Sequence, residues 1–105
     1  MTKAKSSIVP RMDLIPIEAL IALADRYELG EKNYGHNNWR FGLTDPAYVR
    51  ERAAHIIIHT YKLIAKLEGL IPVDGDDDAA AIMWGGAFLI CALKELKDKE
   101  KEKEL

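Results

Sequence analysis

The sequence predicts an all-α fold in which three main helices form a bundle completed by oligomerisation. Apolar residues recur at helical spacing in three blocks, and Gly, Pro and Asp/Asn signals separate those blocks. No stretch alternates as a half-buried strand would. With 105 residues, 30% of them charged, a single copy has few layers of core. Self-association is therefore expected.

The first helix is predicted to start at Asp13 or Pro16 and run to about Leu29, with Ile17, Leu20, Ile21, Ala24 and Tyr27 on one face. Gly30 is its stop or a local break. Thr44-Asp45-Pro46 announces the second helix: Asp45 can cap free amides and Pro46 suits a first turn. That helix should end near Gly69. Glu51, His55, His59, Lys62 and Lys66 follow at steps of four, four, three and four, so they share one side, and Ile57, Ile58, Tyr61 and Ile64 opposite are expected to face the core. The third helix should open at the acidic cluster Asp74 to Asp78, where negative charge meets the positive end of the helix dipole, and continue through Leu96 or beyond. From Ala79 to Leu93 it is apolar nearly all round, more than two partner helices can cover. Gly85-Gly86 in its middle suggests close approach by another backbone, and a second subunit across a twofold axis would supply it. The expected organisation is an arm over 1–12, a single domain over 13–96 and a charged, fraying extension over 97–105.

Composition excludes several functions. A net charge of −2 and a pI near 5.9 offer no basic face for a run of nucleic-acid phosphates, so polymeric DNA or RNA is not an expected partner. Cys91 is the only cysteine and suits a reducing compartment, read as core packing. Residues 1–11 lack the apolar stretch of a secretory signal, and the apolar run from Ala79 to Leu93 is too short to span a bilayer. A soluble, cytoplasmic protein with no membrane partner is the expectation.

The segment Gly30 to Arg40 is dense in amide, indole, phenol and cationic groups. Lys32 and Arg40 with the acid Glu31 suit a metal-bound phosphate, and Tyr34, His36 and Trp39 could stack on a base. The plainer reading is a connector that plugs the bundle with Trp39. Glu28 and Glu31 form a Glu-x-x-Glu pair if the first helix persists that far, an arrangement by which helical bundles hold hard cations, or else two solvated glutamates. Glu51 with His55 is a metal or acid/base pair or an ordinary surface pair. Asp77 and Asp78 are metal candidates or an over-provided helix cap. An EF-hand is rejected, because the sixth and twelfth positions from Asp74 are Ala79 and Gly85.

Asp13-Leu14-Ile15-Pro16, the pattern Gly30-x-Lys32-x-Tyr34-Gly35-x-x-Asn38-Trp39-Arg40, His55, and Asp77-Asp78 opening a helix with Trp84 resemble the phage and bacterial dATP/dGTP diphosphohydrolase N-terminal family. That family is grouped with the MazG-like all-α pyrophosphatases. The likeness spans roughly Asp13 to Leu96. It implies an oligomeric (homodimeric or homotetrameric) Mg²⁺- or Mn²⁺-dependent hydrolase that splits a nucleoside triphosphate, a purine dNTP favoured, into monophosphate and pyrophosphate. On that reading Glu31, Glu51 and Asp77 or Asp78, with Glu28, would hold the ion, and Lys32 and Arg40 would neutralise pyrophosphate. Tyr34, His36, Asn38 and Trp39 would bind base or sugar, and His55 would orient a carboxylate or water. Ala54, Asp78 and Ala81 depart from the family pattern, as do Tyr27 and Ala54 from the MazG acid runs. The alternatives are a degenerate nucleotide- or protein-binding helical module and a purely structural oligomer.

Overall fold

The computed structural model describes residues 10–104, with side chains to residue 102. It is all-α, with no strand among the described residues. A short 3₁₀ turn, Met12–Leu14, precedes α1 (Ile17–Tyr34), and a second, Asn38–Gly42, joins it to α2 (Pro46–Leu67). A loop then leads to α3 (Asp78–Glu104), against which α1 and α2 both pack. Most of the arm expected over 1–12 lies outside the described residues.

Each helix boundary has a local cause. The first helix continues through Gly30 to Tyr34, and Gly35 is its stop instead: its φ of 97° lies where side chains are disfavoured, and its N–H bonds to the Glu31 carbonyl at 2.9 Å. Half of the polar Gly30 to Arg40 segment is therefore helix, and Glu28 and Glu31 do share a helical side. The start of α2 is as expected, with the Asp45 carboxylate accepting from Ala47 N–H at 3.1 Å and Pro46 in the first turn. It closes by Leu70 N–H to Ala65 O and Gly69 N–H to Lys66 O, the paired bonds of a Schellman end. At α3, Asp77 is the cap, accepting from Ala80 N–H at 3.0 Å. The helix continues past Leu96 to Glu104, and its charged residues from Lys97 to Glu102 are exposed.

The faces that pack depart from expectation. On α1 the half-buried positions are Ala19, Ala22, Leu23, Arg26, Tyr27 and Gly30, while Ile17, Leu20 and Ile21 are exposed. On α2 the polar row turns inward and the isoleucine face outward, with Ile57 58% and Tyr61 70% exposed. The reason is the partner: the carboxylates at the start of α3 attract the basic row, and small side chains on α1 suit close helix contact.

The apolar core lies between the 3₁₀ turn Asn38–Gly42, the start of α2 and the middle of α3. Phe88 is fully buried beside Leu43 and Ala92, with Trp39, Tyr48, Val49, Trp84 and Leu89 packed around them. Gly85 permits the α2–α3 approach, since a Cβ there would sit 2.8 Å from Ile56 Cγ1. Gly86 has nothing within 4 Å, so its lack of a side chain serves no contact among the described residues. By length and composition α3 could cross a bilayer, being longer than its apolar run. Its buried Asp78, Phe88 and Ala92, packed on the other helices, are how a core helix uses such residues.

Candidate functional site

A cavity of about 530 Å³ opens between the end of α1, the turn after it, α2 and α3. Its walls are aromatic. Tyr27 meets Trp39 edge-on at 5.7 Å and Trp84 at 6.2 Å, and Trp84 stacks on Phe88 at 5.7 Å. Arg40 lies over the outer ring of this set, 4.5 Å from the Trp39 centroid. Burial pushes the Tyr27 hydroxyl up, so it stays a neutral donor. The turn that carries Trp39 is fixed by Gly35 and by Asn37, which takes the left-handed conformation at φ 55°.

Two guanidinium and two imidazole side chains line the same cavity, Arg26, Arg52, His55 and His59, against the carboxylate of Glu31 among its described residues. Arg52 rests 5.0 Å from the Tyr48 ring centroid, and its Nη2 donates toward His55 Nε2 at 3.4 Å. Its Nε is buried without a hydrogen-bond partner among the described residues. What that side chain, 22% exposed, offers an anion in the cavity is the accessible remainder of its guanidinium.

Behind this wall runs an ionic network. His59 Nδ1 lies 2.7 Å from Asp78 Oδ1, and Lys66, 7% exposed, pairs with Asp78 Oδ2 and with Asp74 Oδ1 at 2.6 Å. Asp76 accepts from Arg26 at 3.1 Å and from Lys62 at 3.2 Å. Hydrogen bonds from His59 and Lys66 hold the Asp78 carboxyl at about 2, against burial, which alone would raise it. Burial would raise Asp76 too, but its bonds to Arg26 and Lys62 together bring it below the usual range. Lys66 pulls Asp74 down, and is itself raised by Asp74 and Asp78.

The structure brings some of the sequence-predicted residues together and disperses others. Glu31, Tyr34, Asn38, Trp39 and His55 line the cavity. Lys32, His36 and Arg40 do not; His36 bonds instead to Glu31 Oε1 at 3.1 Å and Arg40 covers Trp39. Of the acids assigned to a metal, Glu28 is exposed on α1, Glu51 faces Arg52 and His55 at 3.5 and 3.7 Å, Asp77 caps α3, and Asp78 is taken by His59 and Lys66. Among the described residues the trio close enough to share an ion is His59, Asp76 and Asp78, with atoms within 4.8 Å. Lysine ammonium groups already contact both of those carboxylates.

Arg26 and Arg52 escaped the sequence reading, which names His59 in the polar row of α2 and Trp84 in the apolar third helix. For Arg52 the signal was a row that differs from the identified one in its first members: Tyr48, Arg52, His55 and His59 stand at steps of four, three and four on α2. Beginning the row at Glu51 aimed it at solvent.

An all-α scaffold whose cavity is walled by aromatic rings and lined by guanidinium groups has the chemistry to admit a small anion that carries a flat ring. The family model described as "dATP/dGTP diphosphohydrolase, N-terminal" matches residues 2–103, and the chain belongs to that family. No curated protein and no solved structure matches it.

Proposed function

We propose that the chain is a metal-dependent nucleoside triphosphate diphosphohydrolase that converts a dNTP and water into dNMP and pyrophosphate, with purine bases favoured. The observation that carries this reading is the lining of the cavity, in which guanidinium and imidazole groups meet indole and phenol rings. Its volume lies within the roughly 300–1,000 Å³ of small-molecule sites. Family membership supports the chemistry.

Arg26 and Arg52 take the phosphate-neutralising role that Lys32 and Arg40 held in the sequence reading, since both guanidinium side chains line the cavity. Trp39, held in place by Arg40 over its ring and by Tyr27 at 70° to it, joins Tyr27 and Trp84 as ring surface for the base, and Tyr34 and Asn38 line the cavity for sugar or base. His55 accepts from Arg52 and so helps aim it. Glu31, with Glu28 one turn earlier, supplies the carboxylates that fit Mg²⁺ or Mn²⁺, since only one Glu31 oxygen is engaged, by His36. Bound there, such an ion supplies charge neutralisation on the phosphates and activation of water. A nucleotide substrate and a half-buried free thiol at Cys91 support a cytoplasmic enzyme that works on free nucleotides, with neither polymeric nucleic acid nor a membrane as partner. A second copy, in a homodimer or homotetramer, covers the exposed isoleucine face of α2.

Pyrophosphate release from a panel of NTPs and dNTPs, with Mg²⁺ or Mn²⁺ and an EDTA control, tests the reading. Monophosphate plus pyrophosphate, lost on chelation and in Glu31→Gln with an unchanged melting midpoint, is the expected result. One observation favours a second reading: the cavity holds a single acid, which suits a module that binds nucleotide without cleaving it. Nucleotide binding with no turnover on any metal would select that module.

A further inference from the structure

We propose that His59 is a phosphate-contacting residue of the cavity, presenting Nε2 to a phosphate oxygen, and that Asp78 is the positioning residue that holds its ring. The proposal deepens the nucleotide reading and rests on it.

His59 lies on the cavity wall in one row with Arg52 and His55, yet its side chain is only 15% exposed. Its Nδ1 is committed to Asp78 Oδ1 at 2.7 Å. A carboxylate only accepts, so Nδ1 carries a proton and the ring is oriented by that bond. Asp78 is itself fixed: its side chain is fully buried, its second oxygen is clamped by Lys66, and it stands in the first turn of α3. Nε2 has no partner among the described residues. The imidazolium form donates at both nitrogens, one to Asp78 and the other to a ligand in the cavity. Arg26 and Arg52 on the same lining mark that ligand as an anion. A histidine serving only as a counter-charge to Asp78 would need no place on this wall; Lys66 performs that service away from it.

Inorganic pyrophosphate, without metal, is the probe. The chain has three histidines, so their ring nitrogens can be followed singly by NMR. Titration is expected to move His59 Nε2. His59→Asn keeps a donor where Nδ1 stood, for Asp78, but removes the far nitrogen. That variant is expected to bind pyrophosphate roughly tenfold more weakly, the loss of one charge-assisted hydrogen bond, with its ligand-free melting midpoint unchanged. If pyrophosphate shifts His55 and Trp39 while His59 Nε2 stays in place, or if the variant binds as tightly as the parent, the proposal is overturned and the nucleotide reading stands. If pyrophosphate shifts none of these residues, both are overturned. The spectra of the parent chain decide the matter even should the variant fold poorly.

Discussion

The two faces of α2 invert the usual rule. Its inner face carries Arg52, His55, His59 and Lys66 beside half-buried Val49, Ile56 and Leu63, and its outer face carries the exposed row Ile57, Ile58, Tyr61 and Ile64. Hydropathy alone would turn the helix around. What decides orientation is the neighbour: α3 opens with Asp78, and loop residues Asp74 and Asp76 stand beside it, so the basic row finds three carboxylates only by facing in. Toward its N-terminal end the same inner face changes character, and Tyr48 meets Phe88 edge-on at 5.6 Å. The inner face thus has an aromatic half and an ionic half. The outer face is exposed, without a partner among the described residues.

Breaking the aromatic half should have the largest effect. Phe88→Ala removes the one large side chain that is fully buried among the described residues, and with it the stacking surface for Trp84 and the edge contact of Tyr48. Such truncations cost about 3–5 kcal/mol. In a core this small, that loss should leave the chain largely unfolded at 37 °C, read as loss of the cooperative transition in thermal circular dichroism.

The ionic half should break more gently and with a pH signature. Lys66→Met leaves Asp78 buried with His59 and the more distant Lys62 at 3.7 Å, and should lower the melting midpoint by less than Phe88→Ala does. The sign with pH follows from Asp78, whose carboxyl falls from 3.8 to about 2 on folding. A depressed folded value means that the stabilisation is complete above about pH 4 and is lost as pH falls through 2. The depressed Asp74 and Asp76 act in the same direction. Melting midpoints measured between pH 5 and pH 2 should therefore fall for the parent chain, and fall less for Lys66→Met. Parallel curves would remove the network from any role in acid stability.

The sequence made the helices legible because their ends are local events. Asp45, Pro46 and Gly69 act on backbone groups within a turn, and they stand as expected. Gly30 misled because a glycine inside a helix is tolerated at modest cost, and the true stop is Gly35, five residues on. The cavity was half legible: Tyr34, Asn38, Trp39 and His55 belong to one dense motif. Arg26 and Arg52 were not, since they enter the site only through the rotation of α1 and α2 about α3. The acids were the least legible. Nothing in the spacing of Asp74 to Asp78 distinguishes ligands for a metal from partners for Lys62 and Lys66, which stand on another helix.

The outer face gives the smallest effect and the sharpest discrimination. Gly85 and Gly86 are neighbours with opposite circumstances: a Cβ at Gly85 meets Ile56, and a Cβ at Gly86 meets nothing. Gly86 continues at steps of four and three into Ile90 and Leu93, which are 71% and 55% exposed. In an isolated chain, Gly85→Ala should destabilise, whereas Gly86→Ala should stabilise by up to ~1 kcal/mol, the gain in helix propensity. If this row packs against a second copy, as we propose for the exposed apolar surface, the added methyl instead crowds a helix crossing. Gly86→Ala should then weaken self-association in light scattering while raising the stability of the dilute chain. A variant that is more stable and just as oligomeric would move the interface off Gly86 and leave the isoleucine face of α2 to carry it.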